Sequence, residues 1–270
     1  MEMIFIVTKL VHIKKQYYEI HIKFPNGSIH KEQVHEEIVL KYRLVAGKEL
    51  TEEQMSELKS RMDYGEVYQA AMRMVSHKLY TLAELSKKLK EREYKETTID
   101  EVLYKLNELR LLDDEKYAIS YINHHQALGK KGPDLIKRDL ISKGVAKKII
   151  DRHLETYDEE SSLTHAIKLA SSQIRKNNKY GLGFLRPKVI QYLQQKGFPS
   201  DISKQAVEEA LKENREDESD ILLDQTYKLY KKYSRYPEYE GKQKIIQALG
   251  RKGFSYDEAK RAYNEVKEEV

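Results

Sequence analysis

The chain has 270 residues, 34% charged and 40% hydrophobic, with a net charge of +5 at neutral pH; its mean hydropathy is −0.75 and its isoelectric point about 8.9. Cysteine is absent, which excludes disulfides, thiolate zinc sites and cysteine nucleophiles together and fits a cytoplasmic protein better than a secreted, disulfide-dependent fold. Only 5 prolines and 12 glycines interrupt it, so amphipathic helices with long charged outer faces and short turns are expected rather than a doubly covered sheet.

Residues 1–50 stand apart. "MEMIFIVTKLVHIKK" carries an acid at Glu2 and no long uncharged core, and is expected as a strand rather than a signal peptide or membrane span. "FIVTKLVHI" and "YYEIHIKF" alternate apolar and polar residues, and "PNGS" holds an Asn-Gly turn signal, so a small hairpin or three-stranded sheet is expected. "VHEEIVLKYRL" gives a short helix, and Thr51 with Gln54 caps the helix leading onward.

Beyond it the sequence repeats. "LISKGV", "LQQKGF" and "LGRKGF" place glycines at Gly144, Gly197 and Gly253, a period of roughly fifty-five residues that marks a modular array. Glycine reaches the left-handed conformation without a Cβ clash and so ends a helix. With Gly197 just past the end, Leu193 and Phe198 become the apolar pair of a Schellman ending, as do Leu140 with Val145 and Leu249 with Phe254. "LKEREY", ending at Tyr94, is a drifted copy with Glu93 in the glycine place.

Helix starts follow these endings. Thr81 with Glu84, Thr98 with Glu101 and Ser255 with Glu258 have capping-box spacing, while Gly132-Pro133 and Arg186-Pro187 read as proline-led starts. Each repeat then holds a long first helix, a second of about ten residues and a third packed back across them. The first helices are expected at Tyr64–Leu79, Glu115–Leu128, Leu163–Lys179 and Ile221–Arg235. The expected fold is mainly α: a tandem array of four three-helix units (51–110, 111–158, 159–215 and 216–270) behind a β-rich extension at 1–50. Units this small bury too little to be safely stable alone, so neighbours should share interfaces in an elongated body on the order of 80 Å.

Signs of catalysis are missing. "GKKGPD" at Gly129 lacks the pattern of a phosphate-binding loop, and the adjacent His124 and His125 point about 100° apart on a helix, so neither cofactor nor metal is expected. Asp113 and Asp114 precede a helix and read as N-caps rather than an acid/base pair. The expectation is a protein that is not an enzyme and has no small-molecule substrate.

Basic residues are the binding candidates. Lys130, Lys131, Lys137, Arg138, Lys143, Lys147 and Lys148 outnumber Asp134, Asp139 and Asp151. Arg175, Lys176, Arg186, Lys188 and Lys196 lie in a stretch with no acid, followed by an acidic run over Glu208–Asp220. Lys231, Lys232 and Arg235 interleave with tyrosines, and Lys252 closes the series. Tyr227 and Tyr230 are expected in the core, leaving Tyr233 as a candidate for stacking on bases. Such runs often only solvate a helix face; collected together they suit phosphates or an acidic protein groove.

"LRLLDDEKYAISYI" carries Leu111, Leu112, Asp113, Asp114, Tyr117 and Ala118 in a pattern that resembles the RecX family of bacterial recombination regulators. Gly132-Pro133 with Ile136, Leu140 and Lys143-Gly144-Val145 is similar to a second family motif, and Arg186, Lys188-Val189, Leu193 and Lys196-Gly197-Phe198 to a third. The resemblance covers roughly residues 60–265 and looks like the longer Gram-positive form; Leu79-Tyr80-Thr81 and Glu93 depart from its pattern. It implies a regulator that binds the RecA recombinase and its filament on single-stranded DNA. Such a regulator limits filament growth or promotes disassembly, and so modulates recombination, DNA repair and the SOS response. Direct contact with single-stranded DNA is compatible with this, and no membrane is implied. The alternative is a tandem, helix-turn-helix-like DNA-binding transcription factor; a helical scaffold for peptides is a third class.

Overall fold

A computed structural model describes residues 3–155, 157–214 and 218–269; Glu2 and positions 215–217 of the acidic run lie outside the described residues. The chain divides into two compact units, Met1–Tyr117 and Ala118–Val270.

In the first unit, β1 (Phe5–Lys14) and β2 (Tyr17–Lys23) form an antiparallel hairpin, and β3 (Ile29–His35) lies antiparallel to β2. The Asn-Gly turn forms as expected, with Gly27 at φ +85° and the Phe24 amide donating to the Ser28 carbonyl at 2.8 Å. After the short helix α1 (Glu36–Lys41) comes a strand the sequence did not announce, β4 (Glu49–Leu50), paired with Phe5 and Ile6 to give the order β3-β2-β1-β4. Two residues are too few for an alternating pattern to register.

One face of this sheet is closed by α2 (Glu52–His77), a single helix of 26 residues starting at the Thr51/Gln54 capping box. The sequence suggested a separate helix from Tyr64. Instead the first half of α2 packs Met55 and Leu58 against Val7, Ile20, Ile22 and Val34 of the sheet. Its second half packs Val67, Ala70 and Ala71 against Leu85 and Leu89 of α3 (Leu82–Lys90) and Ile99, Val102 and Leu106 of α4 (Glu96–Glu108). Gly65, at the midpoint, costs only about 1 kcal/mol against alanine, too little to break a helix anchored at both ends.

Next come α5 (Asp114–Leu128), α6 (Pro133–Ser142) and α7 (Lys147–Leu154). They are followed by α8 (Glu159–Lys176), α9 (Leu182–Gln195) and α10 (Ser200–Asn214). The last three are α11 (Glu218–Tyr233), α12 (Glu238–Arg251) and α13 (Tyr256–Glu269). On α5 the buried face is Ala118 and Ile122, while Ile119 is 37% exposed. Ala166, Ala170, Leu185, Val189, Leu193, Phe198 and Val207 form the core of α8–α10, and Ile221, Ile245, Leu249, Phe254, Ala259 and Tyr263 that of α11–α13. Among the described residues no helix is long and apolar enough to cross a membrane.

The helix endings follow the expected geometry. Gly144, Gly197 and Gly253 have φ of +83°, +86° and +92°. Val145, Phe198 and Phe254 donate their amides to the carbonyls of Leu140, Leu193 and Leu249 at 3.1, 3.1 and 3.2 Å, and all three side chains are buried. Glu93 adopts the same left-handed turn at φ +63° without being glycine, as does Arg110 at φ +54° after α4.

Two helix starts differ from the sequence reading. α4 begins at Glu96 behind Lys95, with no side-chain cap, so Thr98 lies inside it. The turn decides this, because at the repeated motif the next helix is entered two residues after the left-handed one: Lys95 after Glu93, Ala146 after Gly144 and Pro199 after Gly197. Pro187 does not lead α9; that helix starts at Leu182 behind Gly181, and Pro187 sits in its second turn, forgoing the helical bond to Gly183.

The earlier start of α9 has a packing cause. The Gly181 amide donates to the Lys252 carbonyl at 2.8 Å, so the glycine turn of the α11–α13 bundle sits on the first turn of α9. The α8–α10 bundle sits on α6 in the same way, Gly132 donating to Lys196 at 2.7 Å and Asp134 to Gly197 at 3.0 Å. Carbonyls of each turn thus satisfy amides that a helix start leaves without partners. A Cβ on Gly197 would lie 2.3 Å from the Leu135 nitrogen, and one on Gly253 2.4 Å from that of Phe184. Glycine is required twice at each seam, for φ and for space.

Candidate polyanion-binding surface

The basic candidates all belong to the second unit, and the structure sorts them by what they touch. Lys131 is structural in character: its ammonium donates to Asp139 at 2.6 Å and to the Tyr121 hydroxyl at 3.0 Å, while Tyr121 donates to Asp139 at 2.9 Å. Burial disfavours the Lys131 charge, but the bonds to Asp139 and Tyr121 outweigh it and raise its pKa. Burial likewise pushes the Asp139 carboxyl upward, and the bonds from Lys131 and Tyr121 overcome it, leaving that pKa below the usual aspartate value. Lys137 pairs with Asp151 at 2.5 Å, Arg186 with Glu208 at 2.9 Å, and the Arg138 Nε donates to the Asp134 carbonyl at 3.3 Å.

Other candidates point outward. Lys147 and Lys148 on α7 are exposed, with no ion pair among the described residues. Lys130, Arg175, Lys176 and Arg235 are exposed as well. Lys143 lies 5.8 Å from the Tyr121 ring centre and Lys196 lies 5.6 Å from that of Tyr192.

Around α9 and α11 the cations and rings come together. Tyr180 and Phe184 stack with centroids 4.6 Å apart, Lys188 lies 5.2 and 5.0 Å from the two rings, and Lys179 lies 5.5 Å from Tyr180. On α11, Lys231 covers Tyr227 at 4.7 Å and Lys232 covers Tyr233 at 5.3 Å. Tyr227 is exposed rather than in the core, whereas Tyr230 packs on Tyr263 and Tyr233 lies half-buried against the α11–α13 core. A spacing of three advances about 300° on a helix, so residues 227, 230 and 233 drift off one face. Lys252 donates to the Gln225 side chain, and its pKa is lowered by burial and by the neighbouring Lys179, Lys228 and Lys232, with Asp224 acting in the opposite sense.

The sequence reading passed over a basic groove of about 660 Å³ in the first unit, where Arg73, His77 and Lys78 of the α2 end face Lys88 and Arg92 across Met74 and Tyr80. The signal was present in the sequence as Arg73 and Lys78 at the end of one helix and Lys88 and Arg92 at the end of the next. Asp113 caps α5 as expected, accepting from the Glu115 and Lys116 amides at 3.0 Å each. Asp114 instead reaches back to α3 and accepts the Leu82 amide at 2.9 Å. Glu218 repeats this on α9, accepting the Leu182 amide at 2.7 Å. At α6 the corresponding residue is Pro133, which has no amide hydrogen.

Serial three-helix bundles seated on one another through glycine turns define a helical-repeat protein. Descriptions of the first, second and third three-helix domains of RecX match residues 68–106, 113–154 and 216–263. The α8–α10 bundle falls between the second and third of these segments. The chain is 36% identical over 225 residues to the regulatory protein RecX of Listeria monocytogenes serotype 4a (strain HCC23), covering 83% of this chain and 84% of that one. It is 38% identical over 231 residues to the regulatory protein RecX of Lactococcus lactis subsp. lactis (strain IL1403), with coverage of 83% and 84%. A crystal structure of regulatory protein RecX superposes with a TM-score of 0.64 at 28% identity, over 76% of this chain and 99% of the other. A second, of RecX from Lactobacillus salivarius, gives 0.51 at 30% identity, over 55% and 96%. The chain belongs to the RecX family.

Proposed function

We propose that this RecX-family regulator acts in the cytoplasm by binding the RecA recombinase and its filament on single-stranded DNA, limiting filament growth or promoting disassembly. Similarity to the RecX regulators over 83% of the chain carries this reading. The exposed Lys147 and Lys148, with Lys143 at the preceding turn, supply a cationic face suited to an acidic groove of the filament. No bond-making chemistry is needed, because inhibition by lodging on a filament requires only complementary surface.

The test is RecA ATPase on single-stranded DNA with and without the protein, across a salt series. The expected result is lowered ATPase, with relief by Lys147→Glu combined with Lys148→Glu at unchanged helical circular dichroism. Unchanged ATPase at saturating protein, or tight binding to one duplex sequence in the absence of recombinase, would overturn the reading, the latter in favour of a transcription factor.

A further inference from the structure

The seam between the α8–α10 and α11–α13 bundles does more than hold them together. Because the Gly181 amide bonds the Lys252 carbonyl, the residues just before Gly181, Lys179 and Tyr180, are brought beside Lys252. The close approach of Gly253 to the Phe184 main chain sets the ring stacked on Tyr180 next to the same turn. Gln225, 7% exposed, receives the Lys252 ammonium and so draws in the face of α11 that carries Lys228 and Lys232. The nearby acid Asp224 is already engaged, by Lys228 at 2.6 Å and by the Gln225 amide at 2.9 Å.

Lys179, Lys228 and Lys232 therefore surround Lys252, the first placed by the main-chain contact at the seam and the other two by the Lys252–Gln225 bond. Burial disfavours the Lys252 charge in the free protein, and repulsion from the three neighbouring lysines adds to it. A ligand with several adjacent negative charges relieves that repulsion; a lone carboxylate relieves little of it. Lysine suits phosphate as a compact charge on a flexible stem, and a paired aromatic surface beside it suits a base. The preceding seam shows the same arrangement in part, with Lys130 and Lys131 just before Gly132 and the Lys196 carbonyl bonded to it.

We propose that the Gly181–Lys252 seam is a phosphate-backbone site for single-stranded nucleic acid, with Lys179, Lys232 and Lys252 on the phosphates, Lys228 holding Asp224, and the Tyr180–Phe184 pair beside a base. This deepens the regulator reading, resting on it only for the choice of polymer, and it requires no recombinase.

The experiment uses the full chain alone and a fluorescein-labelled thirty-residue oligo-dT, followed by anisotropy at several salt concentrations. Lys179→Glu with Lys232→Glu should weaken binding at least about tenfold and lower the slope of log K against log salt by about 1.4, two phosphate contacts on a single strand. Lys204→Glu with Lys260→Glu carries the same charge change on exposed positions of α10 and α13 and should leave binding within about twofold, because these positions lie outside the seam. Matching melting temperatures confirm that all three proteins are folded. An equal loss in both double variants would overturn the site in favour of general charge. Displacement by poly-glutamate as effective as that by unlabelled oligo-dT would overturn it in favour of an acidic protein groove. No binding by the wild type would also overturn it, and with no recombinase in the assay that result leaves the regulator reading standing.

Discussion

The amide of Gly132 donates to the carbonyl of Lys196 at 2.7 Å, and the next residue, Gly197, presses its bare Cα against the main chain of Leu135. Gly197 therefore has two reasons to be glycine and Gly27, at φ +85° in open space, only one. Gly197→Ala should cost about 2–4 kcal/mol, a left-handed penalty plus a clash with backbone that cannot move aside, and Gly27→Ala about 1 kcal/mol. Denaturant melts of the two variants check this; equal costs would mean that the seam gives way easily.

Glu93 and Arg110 hold left-handed turns with a Cβ in place. Glu93→Gly and Arg110→Gly should each stabilise by about 0.5–1 kcal/mol, the relief of the steric penalty exceeding the added freedom of the unfolded chain. Thermal melts read the effect, and a loss of stability would show that either side chain makes a contact outweighing its strain.

Much of the fold was legible for the reason that makes these turns costly. A glycine flanked by a buried leucine and a buried aromatic states the helix end, its φ and its apolar contact in six letters, so Leu193 to Phe198 could be placed closely. Pro187 and Thr98 misled because a local start signal was weighed without the long-range contact or turn that sets the helix start, Lys252 on Gly181 in one case and Glu93 in the other. Of the binding candidates, the sequence showed that Lys131 and Lys147 are both cations. It could not show that one is bonded to Asp139 and Tyr121 and the other faces solvent, since that depends on which residues meet across helices.

Asp139 should support stability in a pH-dependent way. Its folded pKa lies below the ordinary aspartate value, so its contribution is present above the unfolded pKa and is lost as pH falls through the folded one. Asp139→Asn should cost about 1–2 kcal/mol at pH 7, with the gap to wild type closing as pH falls below about 4. Urea melts at pH 7 and pH 3 measure it, and a gap that persists at low pH would assign the loss to packing rather than charge.

Asp114 has the opposite sign. Burial raises its pKa, Asp113 and Glu84 add to the rise, and the Leu82 amide partly offsets it. Its stabilising contribution is therefore fully present below the unfolded pKa and is lost as pH climbs through the folded one. Asp114→Asn keeps an acceptor for Leu82 and should gain on wild type as pH rises from 3 to 7, while Asp114→Ala should lose about 1 kcal/mol at either pH through the missing cap. Parallel melts of both variants decide the matter, and an asparagine variant that falls behind at pH 7 would contradict it.

The joints between consecutive bundles in the second unit share a core of peptide groups, to which Glu218 on the Leu182 amide adds a side chain at the second. A carbonyl on one side, an amide on the other and missing methyls between them fix the step from Gly132 to Lys196 and from Gly181 to Lys252. That shared core of peptide groups does not depend on which side chains decorate the outer faces of the helices around it. Lysines, tyrosines and acids can be exchanged by mutation from bundle to bundle while the stride between bundles stays the same, so the protein's chemistry is free to drift along a ruler whose divisions are held by glycine.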